Sequence, residues 1–249
     1  MGDVSWGGVR YGWNVCTPGF SVDGVHGNNG HGENGVKTMS IKVTEYRPDD
    51  FCEDNSRVVD AVRRAMYAVP YVGVTVPTSG RLGGAVMVYT TNSKNMIFVY
   101  PGERSLTAAL TRQKRVCDVH EIVETHTVTY DDSDRLAELF AQMCDAGTGT
   151  SDACVRDAVE KIESFPTMTV SYVDGDCVFV EDATGVFAVV SPATVDERVC
   201  WRGTVYPTVR AYVDSRFGAV RDDYTYVSAD TVEELVLRVQ GCGVETDGE

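Results

Sequence analysis

Apolar and polar residues along this chain follow two periods in a fixed order. Between Asn55 and Pro70, apolar Val58, Val59, Val62, Ala65 and Met66 recur three and four residues apart, which places them on one stripe of a helix. Asn55 or Ser56 can cap that helix and Pro70 ends it. Ahead of it Ser40–Tyr46 alternates as a strand, and after it Tyr71–Val76, Ala85–Thr90 and Met96–Tyr100 read as strands, with Thr91–Asn95 as a hairpin loop. Ser105–Val116 fits helix or strand. His120–Tyr130 then alternates as a strand and feeds a closing helix at Asp134–Cys144.

The same order follows a second time. A helix is predicted from about Asp152 to Phe165, stopping at Pro166, and strands at Met168–Val173, Cys177–Glu181 and Val186–Val190. Asp174-Gly175 and Ala183-Thr-Gly185 supply the turns between them. Trp201–Val213, with Gly203, Pro207 and many β-formers, reads as strand. Ala219–Val227 leads into a last helix whose buried stripe is Val232, Leu235, Val236 and Val239. Asp230-Thr-Val-Glu233 has capping-box spacing at its start, and Gly241 and Gly243 mark its end.

Sliding the chain by 96 residues superposes the two halves. Thr129, Tyr130, Asp134, Glu138, Leu139 and Gly147 fall on Thr225, Tyr226, Asp230, Glu234, Leu235 and Gly243, six identities in the twenty positions from 128 to 147. The same shift brings Val59 onto Val155, Pro70 onto Pro166 and Val74 onto Val170. A common offset at both ends predicts a duplicated architecture with compensating insertions between. The fold class is α+β: a tandem duplication of an α-β-β-β-(variable)-β-α unit, with mostly antiparallel sheets and helices on one face. The expected domains are an arm at 1–38, a lead-in strand at 39–54, repeat one at 55–147, repeat two at 151–243 and a tail at 244–249. An approximate two-fold axis is expected to relate the repeats, with their sheets packed together or continuous.

Composition narrows the setting. The chain has 249 residues with 43% hydrophobic and 24% charged content, ordinary for a globular protein. No apolar run approaches the ~20 residues a membrane helix needs, and no basic-then-apolar leader opens the sequence. The eight cysteines read as reduced thiols. Cys117, Cys144, Cys154 and Cys242 face Val213, Gln240, Val58 and Ala146 across the repeat, so no cysteine is shared. A cytoplasmic location is expected: the host cytoplasm, or a virion if the chain is phage-encoded. The lysines are Lys37, Lys42, Lys94, Lys114 and Lys161, far outnumbered by arginine. That usage suits a high-GC genome, such as an actinobacterium or its phage.

Charge divides the halves. Residues 1–54 carry a net of −4, residues 55–150 a net of zero and residues 151–249 a net of −11. Such acidity repels phosphate backbones, so no direct nucleic-acid binding is expected, and no membrane association. The arm has no periodicity, and Gly24–Gly35 cannot offset its ordering entropy by apolar burial. It is expected to join neither core, with Trp6 and Trp13 as anchors on a partner. A translation start at Met39, which would remove the arm, is a competing reading.

Candidate chemistry is sparse. Cys117, His120 and His126 are the candidate metal ligands, in Cys117-Asp-Val-His-Glu-Ile-Val-Glu-Thr-His126. A zinc-protease helix would need His where Glu124 stands. On a strand His120, Glu124 and His126 share a face but spread over about 20 Å, so no metal is expected. Asp131-Asp132-Ser133-Asp134 lacks a calcium loop and reads as a helix cap. No nucleophile elbow or phosphate loop is present, and Gly80-Arg-Leu-Gly-Gly84 lacks the following Lys. No catalytic residue and no cofactor are expected.

What the halves share is a scaffold of Pro, Gly, caps and apolar residues. The expected function is therefore a non-enzymatic protein–protein interaction or assembly module, such as a phage structural or accessory protein. The neutral first unit would dock and the acidic second unit would face solvent or a basic partner. Asp222, Asp223, Glu233 and Glu234 join Trp6 and Trp13 as its partner-binding candidates. Two alternatives stand beside it: an acidic mimic of nucleic acid that inhibits a basic host protein, and an enzyme whose dispersed site the sequence does not reveal.

Overall fold

In the computed structural model, the described residues are 42–43, 48–77, 84–90, 95–113, 119–145, 150, 152–195, 198–218 and 224–242. Unit one opens with helix α1 (Ser56–Met66), whose Val58, Ala61, Val62, Ala65 and Met66 are buried. A meander follows: β2 (Gly73–Thr75), β3 (Val86–Tyr89), β4 (Asn95–Pro101), β5 (Ser105–Gln113) and β6 (Val119–Thr129), all antiparallel neighbours. Helix α2 (Ser133–Asp145) closes the unit, and the short strand β1 (Lys42–Val43) adds in parallel to β6. Of the segment 105–116, open between helix and strand by sequence, Ser105–Gln113 is strand β5 at the centre of this six-stranded sheet, and 114–116 lie outside the described residues.

Unit two repeats the order with one addition. Helix α3 (Ala153–Glu163) precedes β7 (Met168–Asp174), β8 (Cys177–Asp182), β9 (Phe187–Val195) and β10 (Arg198–Tyr206). Then come a short helix α4 (Val209–Arg216), strand β11 (Thr225–Ala229) and helix α5 (Val232–Gly241). The expected strand at Trp201–Val213 is therefore half strand and half helix. Pro207 has no amide to continue the ladder, and Thr208 caps α4 by accepting a hydrogen bond from the Ala211 amide at 3.1 Å. Strand β11 begins later than its expected start at Ala219, and residues 219–223 lie outside the described set.

The fold is α+β, built from two units of one element order. Cross-strand register makes the equivalence concrete. Val74–Val88–Ile97–Leu110–Glu124 forms a continuous row across sheet one, and Val170–Val180–Ala188–Val205–Thr225 the matching row across sheet two. Buried Leu136, Leu139, Phe140 and Met143 of α2 match Val232, Leu235, Val236 and Val239 of α5 at the 96-residue offset. The first helices instead align one residue further on: Val58, Ala61 and Ala65 match buried Val155, Ala158 and Ile162. The expected pairing of Val59 with Val155 is thus off by one.

The units stack head to tail. Val86, Val88, Ile97, Val99 and Leu106 of sheet one, the apolar residues of α1 and α2, and Tyr172, Phe179, Phe187, Val189 and Tyr206 of sheet two form one core, with Tyr212 and Val213 of α4. The other face of sheet two, through Val178, Val180, Ala188, Val190 and Val205, packs against α3 and α5. The layers therefore run sheet one, α1/α2, sheet two, α3/α5. A two-fold axis would bring the same face of each unit to the junction; here the helix layer of unit one meets the open sheet face of unit two. The expectation of a two-fold, and of sheets packed together or continuous, is corrected accordingly. The far face of sheet one holds a smaller cluster of Ala85, Met87, Tyr89, Phe98, Tyr100 and Ala109, with Phe51 packed on it. Gly73 is required there, since a Cβ would lie 2.6 Å from the Tyr89 ring.

Polar contacts fix the junction. The Tyr67 hydroxyl donates to Asp214 Oδ1 at 2.7 Å, joining the end of α1 to α4. The Tyr172 hydroxyl donates to the Cys144 carbonyl at 3.2 Å, satisfying one of the carbonyls a helix leaves open in its last turn. Among the described residues, no helix is long and apolar enough to cross a membrane.

Candidate interaction surface

Two places bring chemistry-bearing side chains together. The first is a cleft in unit one between α2 and strands β4 to β6, lined by Asn95, Ile97, Leu110, Glu124, His126 and Met143 among others. His126 Nε2 lies 3.1 Å from Glu124 Oε1. The cleft holds about 60 Å³, room for a water or two, whereas ligand pockets run to about 300–1,000 Å³. In unit two the same register positions are Thr225 and Val227, so the pair has no counterpart there.

The strand geometry around His126 differs from the simple alternation expected. Leu110 pairs with Glu124 while Thr111 pairs with Ile122, so Val123 is an extra residue and β6 bulges there. Glu124 and His126 line the cleft, whereas Ile122 packs on the opposite cluster. The period of two that put position 120 on the face of Glu124 and His126 is broken between them. Cys117 lies outside the described residues, and of His120 the backbone alone is described. Among the described residues, no group of three or more His, Cys, Asp or Glu side chains could hold a metal ion.

The acidic run at 131–134 caps α2, where Asp132 Oδ1 accepts from the Arg135 amide at 3.1 Å. In α5 the cap is Thr231 rather than Asp230: its Oγ1 accepts from the Glu234 amide at 3.2 Å. Among possible nucleophiles, Cys144 is buried, and that burial pushes its thiol up to about 11, the reverse of activation.

The second place is the β11 side of sheet two. An unbroken series of ring contacts leads to it from the junction core. Tyr71 stacks on Tyr172 at 4.9 Å between centroids and meets Phe179 at 5.5 Å. Phe187 lies 6.3 Å from Phe179 and 5.0 Å from Tyr212. Tyr212 meets Tyr206 edge-on at 5.1 Å, Tyr206 meets Tyr224 at 5.9 Å, and Tyr224 meets Tyr226 at 5.0 Å. Burial falls steeply along this ladder: Tyr212 is 7% exposed, Tyr224 38% and Tyr226 61%. Desolvation, then the hydrogen bond with the Tyr224 hydroxyl, hold the Tyr226 phenol above its ordinary range. Opposite Tyr226 in register sits Thr204, 2% exposed, whose hydroxyl has no protein partner.

Of the expected contact residues, Trp6, Trp13, Asp222 and Asp223 lie outside the described set. Glu233 and Glu234 occupy the first turn of α5, directly after β11. Glu233 approaches Lys161 of α3 at 3.6 Å, and Glu234 pairs with Arg238. Sequence reasoning missed Tyr224 and Tyr226, and the repeat itself hid them. At the 96-residue offset Tyr226 matches Tyr130, which is 6% exposed and donates to the Gly102 carbonyl. In cross-strand register, however, Tyr226 opposite Thr204 takes the place of Thr125 opposite Ala109, so the two tyrosines match in the sequence offset but not in the sheet.

Comparison with known protein families, curated proteins and solved structures returned no match.

Proposed function

We propose that the protein is a non-enzymatic protein–protein interaction module whose contact surface is the tyrosine-bearing edge of acidic unit two. The observation that carries this reading is the aromatic ladder, which is anchored in the buried junction and ends in exposed Tyr224 and Tyr226. Rings held by a rigid core lose little conformational freedom on binding, and tyrosine is enriched among the residues that dominate contact energies. The neutral helix layer of unit one also docks, but on unit two of the same chain. The excess of arginine over lysine supports a structural or accessory protein of a phage of a high-GC bacterium as the setting for such a module.

A photo-crosslinking residue at position 228, exposed on the same strand and leaving both tyrosines in place, should capture one partner in extract of the protein's own host. Tyr224→Ala together with Tyr226→Ala should abolish that capture without changing the melting temperature. A partner retained at unchanged affinity by the double variant would remove the edge from the function. A salt series separates the mimicry alternative, because a partner held by charge alone dissociates steeply as ionic strength rises.

A further inference from the structure

We infer that the free side of β11 takes up an extended basic segment of a partner protein as a sixth strand of sheet two. This rests on the reading of that edge as the contact surface and names what fills it.

The strand is built like an interior strand. Thr225-Tyr-Val-Ser-Ala229 pairs with β10 throughout its length, and among the described residues nothing pairs with its other side. It carries no charge, no proline and no bulge, the devices by which open edges are usually blunted. The other long edge in this sheet, β7, is interrupted by a register shift between Val170 and Tyr172. In sheet one, the far edge strand β2 has three residues. One guard is present: the Arg238 guanidinium donates to the Ser228 carbonyl, leaving the Tyr224–Val227 stretch as the open part.

Sheet one shows that the same side of the fold accepts a strand, there beside Val119–His120, ahead of the Glu124–Val128 stretch that matches β11 in register. Strand β6, the counterpart of β11, has β1 added beside it in parallel. The segment that supplies β1, Ser40-Ile-Lys-Val-Thr44, has Lys42 as its one charged residue. Among the described residues, sheet two has no strand beside β11 on that side.

Charge selects the occupant. Residues 151–249 carry a net of −11, and Asp230, Glu233 and Glu234 follow β11 directly. A cationic segment is steered to such a surface and an anionic one repelled. Tyr224 and Tyr226 present ring faces on which Lys or Arg side chains can rest. Arg202, opposite Ser228 in register, biases the cations of the segment toward the tyrosine end. Backbone pairing supplies affinity and alternate side chains supply selection, the mode of β-strand addition.

The probe is a fluorescein-labelled octapeptide of alternating Lys and Val, titrated into the full chain and followed by anisotropy and by amide exchange. Saturable binding is expected, with new protection of the amides at 224–227. Methylating alternate backbone nitrogens, which keeps the charge but blocks one edge of the peptide, should weaken binding about tenfold or more. The Tyr224→Ala/Tyr226→Ala protein should weaken it to a similar degree, and an alternating Glu–Val peptide should not saturate. Equal binding of the methylated peptide, unchanged binding by the double variant, or no binding of the Lys–Val peptide each overturns strand addition. If crosslinking from position 228 still captures a tyrosine-dependent partner while amide exchange at 224–227 stays unchanged, the contact surface stands and the sixth strand fails.

Discussion

Asp182 shows how one buried carboxylate organises a turn. Its Oδ1 accepts from the Thr184 amide at 2.8 Å, the Thr184 hydroxyl at 2.6 Å and the Val186 amide at 3.0 Å. It thereby closes the hairpin around Gly185, whose φ of 89° suits glycine. Asp182→Ala strands those donors and should cost about 2–3 kcal/mol in urea unfolding, whereas an exposed Asp157→Ala should stay within about 0.5 kcal/mol. Titration of the junction should be equally visible. Burial raises the Cys144 thiol from 9.0 to about 11, and the phenols of Tyr172, Tyr206 and Tyr212 are raised chiefly by burial as well. Above pH 9 the unfolded chain sheds protons that the folded chain keeps, so this stability is complete below pH 9 and declines as pH climbs toward 11. Denaturation midpoints at pH 7, 9 and 10.5 should trace that decline, and Cys144→Ala should make it shallower. A flat profile would contradict the burial of these groups. At this scale the sequence was legible for caps and turns, whose residues act on their own neighbours. It was illegible for Tyr226, whose exposure depends on which elements surround it.

Elements were easiest to read where one face is wet. The stripes of α1, α2 and α5 and the turn at Asp174-Gly175 are where periodicity and turn chemistry place them. Strand β5 resisted assignment because Leu106, Thr107, Ala108 and Ala109 are all buried, which erases the alternation of two. The end of β10 is buried on both faces in the same way, and the strand gives way to α4 at Pro207-Thr208. The bulge at Val123 left no mark in composition, and it decides which residues reach the cleft. Caps give a direct test of element boundaries. Thr208→Ala and Thr231→Ala should each destabilise by about 1 kcal/mol, read from denaturant midpoints. By contrast Asp230→Ala, at the position first taken for the α5 cap, should cost markedly less than Thr231→Ala.

At the scale of the whole molecule, the shared core across the junction makes the two units one cooperative body. Calorimetry should show a single transition with matching calorimetric and van't Hoff enthalpies. Residues 151–243 expressed alone would bare Tyr172, Phe179, Phe187, Tyr206 and Tyr212, which unit one covers, and should bind a hydrophobic dye or aggregate; a soluble, dye-free fragment would refute the stacking. The duplication was visible in the sequence, because it survives as spacing. The direction of stacking was not, because it depends on which faces are apolar on both sides. Helices α1 and α2 are covered above and below, whereas α3 and α5 turn outward the Lys161–Asp157, Lys161–Glu233 and Arg238–Glu234 pairs. In the language of polymer chemistry, that ion-paired skin is a chain terminator. A head-to-tail joint has no inherent reason to stop at two units; here it meets that skin at one end and the already buried far face of sheet one at the other. Fibre growth would need both ends opened: the apolar surface of α1 and α2 in place of those pairs, and a bared far face on sheet one to receive it.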